Sequence, residues 1–455
     1  MRGIRFHLGF ALVTGGLFSF PSFGQELSPE KPSPLAEKKS EDSAPLPKRL
    51  EAGPKSEEGQ VPGSDPVAPL SVIVQPFQPM VDSNGDALAM PLEEGIYSPP
   101  GCRWAEADLL LWWMKGANTP PLLTTSPAGT PISQAGVLGT PGATSLFGGQ
   151  TYNQGMMVGG RFTLGRWLNN ERTVGAEIYG LILPSCDGTT YSAGTPGIVS
   201  RPYVDATNNK NAAELVSYPG VLNGFSTASV STCGLFGAGA LGIYNLRGND
   251  VYRLDAVGGF RYLTICDDVN VTENLTSVLS NPGSVPTGTN FNIMDKFQTG
   301  SQFYGADIGL RGERRMGRWF VDGTGRIALG STCQSATIIG NTTVTVPGQA
   351  PVTSAGGLLA LQSNMGSYSR DVVTIVPEVG CHIGFFLTEN IRLKAGYSFL
   401  YWSSVARAGN IMDTTVNPNL LPPATPGAQP NRPAFDWNGT GLWAQGIDLG
   451  LEWHF

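Results

Sequence analysis

The stretch that most constrains this 455-residue chain is Leu442–Phe455. Trp443, Gln445, Ile447, Leu449, Leu451, Trp453 and Phe455 occupy one register, and Ala444, Gly446, Asp448, Gly450, Glu452 and His454 the other. Side chains leave opposite faces of a pleated strand, so a period of two means one apolar face and one small or charged face. The strand is long, carries a Trp near each end, and ends on an aromatic. A chain with such a strand must bury the apolar face against a second sheet or turn it towards lipid.

Composition narrows the choice. Charged residues are only 14%, while Gly 60 and Pro 35 are abundant. Average proteins carry nearly twice that charge. The balance suits an all-β protein with many turns and a large apolar exterior. No window reaches the ~18 apolar residues of a membrane helix, so any crossing must use strands. The net charge of −7 argues against nucleic acid as a partner.

Residues 1–24 read as a secretory signal peptide. Arg2 and Arg5 precede an apolar run from Leu8 to Phe20, and Ser22-Phe23-Gly24 places small residues at a cleavage site before Gln25. Export through the Sec pathway is expected. Residues 25–99 are rich in Pro and charge in their first part and read as a disordered periplasmic linker, unable to bury enough apolar surface to order itself. The barrel domain is expected over 100–455. Strands are expected at 103–114, 156–164, 174–182, 234–246, 251–265, 302–311, 319–329, 373–386, 391–402 and 442–455. Short turns (Arg247–Asp250, Glu313–Gly317, Thr388–Asn390) alternate with long polar stretches at about 184–231, 267–301 and 340–370. That alternation is how transmembrane barrels are built, with short periplasmic turns and long extracellular loops. The expected fold is all-β: a transmembrane antiparallel barrel of about ten strands, with twelve as the alternative.

The two faces carry different chemistry. Glu106, Asp108, Arg161, Glu177, Arg253, Asp255, Arg261, Asp307, Arg311, Asp322, Arg326, Glu378, His382, Arg392, Lys394, Asp448 and Glu452 all fall opposite the apolar register of their strands. A charge facing lipid costs about 2–4 kcal/mol at mid-bilayer, so the apolar registers are expected outside and these residues in the lumen. Trp104, Trp113, Trp167, Trp319, Trp402, Trp443 and Trp453 lie near strand ends and are expected to form aromatic girdles at the membrane interfaces.

The stretch Trp104-Ala105-Glu106-Ala107-Asp108-Leu109-Leu110-Leu111-Trp112-Trp113-Met114, followed by Pro120-Pro121-Leu122-Leu123, resembles the opening of a bacterial β-barrel porin family predicted to lie in the outer membrane. Gly159–Leu168 and the terminal strand are similar to it too. The resemblance implies an outer-membrane location over roughly residues 100–455 and supplies no catalytic residues. The last strand also resembles C-terminal strands of outer-membrane barrels. That implies that Leu451, Trp453 and Phe455 form a barrel-assembly signal, with the assembly machinery and outer-membrane lipid as partners.

Chemistry is sparse, and the chain is read as no enzyme, without cofactor, metal site or catalytic residues. His382 and Glu378 lie four residues apart on one face, about 13 Å along a strand, too far for a dyad. Gly237-Ala238-Gly239-Ala240-Leu241-Gly242 matches G-x-G-x-x-G but sits inside a strand pattern, which favours close packing over dinucleotide binding. Cys186 and Cys233 bracket one long loop and are a candidate disulfide. Ten strands sit near the filled end of barrel sizes, so the lumen is expected to be narrow or plugged. Two other classes compete with a porin-like barrel: a secreted all-β adhesion protein, and an outer-membrane hydrolase.

Overall fold

The computed structural model describes residues 101–152, 155–184, 188–279 and 285–455. The expected signal peptide, the linker and Cys186 lie outside them. Ten antiparallel strands close into a ring: β1 (Arg103–Met114), β2 (Met156–Trp167), β3 (Val174–Pro184), β4 (Leu222–Gly248), β5 (Tyr252–Ser277), β6 (Asn290–Met316), β7 (Trp319–Thr345), β8 (Gly366–Phe386), β9 (Ile391–Val405) and β10 (Thr440–His454). Each pairs with its neighbours in sequence. β10 closes the circle on β1, from Trp104 opposite His454 to Met114 opposite Ala444. Two short strands, Thr189–Gly194 on β4 and Val352–Ala355 on β7, bring the sheet to twelve. Ring closure leaves the barrel strands no free edge, which is what lipid demands of every backbone N–H and C=O.

The strands are longer than their apolar registers suggest. β4, β6 and β7 each run 27 residues and β5 runs 26. Much of what lies outside the expected strands, at 222–233, 267–277, 290–301, 331–345 and 366–372, is strand. These segments form a wall that rises beyond the barrel on the side of β4–β8. The outward register of β5 shows why. Leu254, Phe260 and Tyr262 give way to Thr264, Asp268, Asn270, Thr272, Asn274 and Thr276. A strand whose outer face leaves lipid keeps its period of two but takes polar residues. Without an apolar register such a stretch looks like a loop in sequence.

The β4–β5 register also shifts partway up the ladder. Thr232 faces Asp267 and Leu235 faces Ile265, so Cys233 and Gly234 together oppose Cys266. Gly234 takes a φ of 89°, the left-handed backbone that a bulge of this kind needs and that glycine supplies without a Cβ clash. Cys233 and Cys266 are disulfide-bonded across this bulge, with Cα atoms 5.4 Å apart. The expected Cys186–Cys233 pairing is thereby overturned. The β4–β5 ladder, rather than the loop between β3 and β4, brings the partner to Cys233, and Cys233 can bond only once.

The aromatic girdle needs correction in three places. Trp113, Trp319, Trp443 and Trp453 point outward as expected, and Trp319 stacks edge-on with Phe385 at 5.0 Å. Trp104, Trp167 and Trp402 point inward. Trp104 and Trp402 are buried, and Trp104 packs on Trp167 at 5.1 Å. Each has the parity of the lumen charges on its own strand, so the nearness to a strand end misled. Tyr262 and Tyr304 face outward and are in contact at 5.0 Å.

Candidate functional site: a layered lumen

All seventeen charged residues singled out in the sequence lie on the inward register, and the ladder registers bring most of them together. The centre is Glu378 on β8. It accepts ion pairs from Arg161 at 3.0 Å, Arg261 at 2.9 Å and Arg326 at 2.7 Å. Asp307 adds a second carboxylate beneath Arg261 at 2.7 Å and Arg326 at 3.5 Å. Three arginines from β2, β5 and β7 are thus held by carboxylates from β6 and β8. Desolvated guanidinium groups require such partners, because an unpaired buried charge is far costlier than a paired one.

Beside this knot, His382 lies between two carboxylates, with Nδ1 2.9 Å from Asp322 and Nε2 3.1 Å from Asp448. The Trp112 Nε1–H donates to Asp448 at 2.6 Å, and the Ser398 hydroxyl donates to it as well. Lys394 pairs with Glu106 and stands 3.5 Å from Asp108. Arg392 bridges Glu452 at 2.6 Å and Glu313 at 2.7 Å. Arg311 grips Glu177 at 2.6 Å, and Arg253 pairs with its strand neighbour Asp255 at 2.8 Å. Sequence reasoning missed Glu313 and Arg315, which pair at 2.6 Å just inside the turn end. In sequence they sit in the expected Glu313–Gly317 turn, because strand parity is hard to follow where a strand meets a turn.

A cavity of about 350 Å³ reaches from the short-turn end up to this network, lined among others by Trp104, Trp167, Asn249, Arg311, His382 and Ser398. Arg253 lies over Trp167 at 4.2 Å on its wall. Above the charges the lumen changes character. Leu110, Trp112 and Met114 of β1, Leu181 and Leu183 of β3, Leu263 and Ile265 of β5, Phe303 of β6, and Leu400 and Trp402 of β9 join one buried apolar cluster. Phe303 and Trp402 meet edge-to-face at 6.2 Å. The layer is built from strand side chains, so it belongs to the barrel wall. Small inward residues make room for it: a Cβ on Gly446 would fall 2.6 Å from the Trp112 Cα. Gly239 of the G-x-G-x-x-G run plays the same part lower down, where a Cβ would meet the Tyr179 ring at 2.4 Å.

A second apolar core sits outside that layer. Val269 and Val271 of β5, Phe297 of β6 and Ile338 of β7 pack against Leu358–Leu361 and Ile411 from the long connections. A small sheet of Lys210–Ser217, Val199–Asp205, Leu123–Thr125 and Thr144–Phe147 lies over it, with Thr415–Val416 parallel to Val199–Asp205. Asp295 accepts from the backbone N–H groups of Leu358 and Leu359 at 3.2 Å and Ala360 at 2.9 Å. Arg407 pairs with Asp267 at 2.5 Å, and the Thr232 hydroxyl donates to the same carboxylate at 2.9 Å.

A closed antiparallel ring with an apolar outer belt and a charged interior is an outer-membrane β-barrel. The family described as "Putative beta barrel porin-7 (BBP7)" matches residues 104–455, and the chain belongs to it. The reading as a secreted adhesion protein falls with that membership. Among curated proteins none matches the sequence. Among solved structures, the outer-membrane protease OmpT from Escherichia coli is similar at 12% identity, covering 80% of this chain and 100% of that one, with a TM-score of 0.39. A Pseudomonas aeruginosa FadL homologue follows at 8% identity, 78% and 90% coverage and a TM-score of 0.21. The P. putida toluene transporter TodX stands at 10% identity, 79% and 91% coverage and a TM-score of 0.15.

Proposed function

We propose that this protein is a porin-like barrel whose lumen is closed at rest, and that its contacts with the outside run through its extracellular lid. The observation that carries this reading is the apolar layer at Leu110, Trp112, Leu263, Phe303 and Trp402. A hydrated solute would have to shed its water to pass, and no rearrangement of the loops alone would open the way. Purified protein in planar bilayers should therefore give no steps in the nanosiemens range. Steady steps of that size would sink the proposal.

The same geometry supports a barrel without an enzymatic role. Both ring nitrogens of His382 face carboxylates, and the Ser398 hydroxyl donates to Asp448 rather than to the imidazole. No nitrogen is left to take a proton from a nucleophile. We place Leu451, Trp453 and Phe455, all exposed on the outer face of β10 or just beyond it, as the surface by which assembly machinery and then lipid meet the barrel.

A further inference from the structure

Besides apolar packing, the lid sheet meets the wall through a buried ion cluster. Arg201, on the strand Val199–Asp205, is 1% exposed. It reaches Glu273 of β5 at 2.5 Å and Asp295 of β6 at 2.6 Å. The next lid strand, Lys210–Ser217, adds a third carboxylate, since Glu214 pairs across the lid with Arg201 in register. Three carboxylates therefore share one guanidinium in a buried site. They are not equally served. Asp295 has Arg201 and the three N–H groups named above. Glu273 has Arg201 on Oε1, while its Oε2 is buried without a hydrogen-bond partner. Glu214 Oε2 is likewise buried and unpartnered. Asp295 is compensated by those N–H groups, but ionised Glu273 and Glu214 would compete for one guanidinium with an enclosed oxygen each, which is costly although Glu214 as a whole is half-buried.

We propose that the strand pair Val199–Asp205 and Lys210–Ser217 is a proton-locked cover, docked on the wall while Glu214 holds a proton and released when it ionises, exposing the part of the wall around Glu273 and Asp295. The cover goes beyond the closed-lumen reading and does not depend on it, because the layer that blocks the lumen lies deeper.

The groups facing Glu214 are Arg201 and Tyr203 on the lid and Glu273 and Asp295 on the wall. Burial, and then the neighbouring Glu273 charge, push the Glu214 carboxyl up to about 8 in the docked state. In a lifted cover, facing water, it would return to about 4.3. The docked form thus binds the extra proton. Its advantage is complete below about pH 4.3, falls as pH rises, and is gone above about pH 8.

Hydrogen exchange of the full chain in detergent micelles tests this. Protection of 199–217, taken relative to β1 in the same sample, should fall at least tenfold, as an order of magnitude, between about pH 5 and about pH 8.5. In Glu214→Gln, which mimics the protonated side chain, the fall should be under about threefold. Wild-type protection that does not change with pH overturns the proposal, as does an undiminished fall in Glu214→Gln or a loss that β1 shares equally. Should the variant fail to fold, the wild-type comparison alone decides.

Discussion

The lower barrel and the extracellular wall are made by the same strands, yet they are inside-out versions of each other. On β6, Ile308 and Leu310 face outward in the barrel with Asp307 and Arg311 inside. Ten residues earlier on the same strand, Gln298 and Lys296 face outward with Phe297 inside. On β7, Ile327 and Leu329 outside and Arg326 inside become Ser335 and Thr337 outside and Ala336 and Ile338 inside. The backbone does not change; the solvent does. Where lipid surrounds the strand, charge retreats to the lumen and pairs there. Where water surrounds it, the ordinary soluble arrangement returns and an apolar core forms on the concave side. Charge pairing therefore dominates the interior of the lower barrel, while the wall is held mainly by apolar contact with the Arg201 and Arg407 ion pairs set into it.

The sharpest way to break this contrast is to remove the interior glue from each region in turn. Glu378→Gln leaves Arg161, Arg261 and Arg326 short of a carboxylate and should cost about 3–5 kcal/mol of barrel stability. Urea titration of the heat-modifiable gel band would read it, and an unchanged midpoint would show that the knot is dispensable. Phe297→Ala should cost a similar ~3–5 kcal/mol, but to the extracellular core alone. Protease cutting of the lid connections should rise while the barrel band keeps its midpoint; loss of both together would mean that the regions fold as one unit.

A gentler comparison uses one substitution at two heights of β6. Ile308→Arg puts a cation in lipid and should destabilise the folded barrel by about 2–4 kcal/mol, whereas Gln298→Arg should stay within about 0.5 kcal/mol. Equal effects at the two positions would refute the placement of the membrane boundary between them.

The same contrast explains what could be read in advance. Strand periodicity in β1, β5, β8 and β10 was plain because an apolar register marks a lipid face, and the lumen charges followed from parity alone. Trp104, Trp167 and Trp402 lie near strand ends, as girdle residues do, but their parity is that of the lumen charges, and parity decides the face. The upper halves of β4–β8 were lost because Thr, Ser and Asn alternating with scattered apolar residues resembles a polar loop. The Cys233–Cys266 bond was hidden because it depends on a bulge at Gly234, and a bulge is a matter of pairing that no single strand declares.

Sequence by itself determined the all-β class, a barrel of about ten strands, and which side of each strand carries charge, because a period of two and a solvent preference are local properties of a strand. Tertiary structure alone decided that Glu378 would gather three arginines, that an apolar layer would assemble above them, and that Arg201 would meet the wall beside Glu214. Those outcomes depend on the stagger between strands and on where distant connections come to rest, and both are settled only when the ring closes and its interior must be filled.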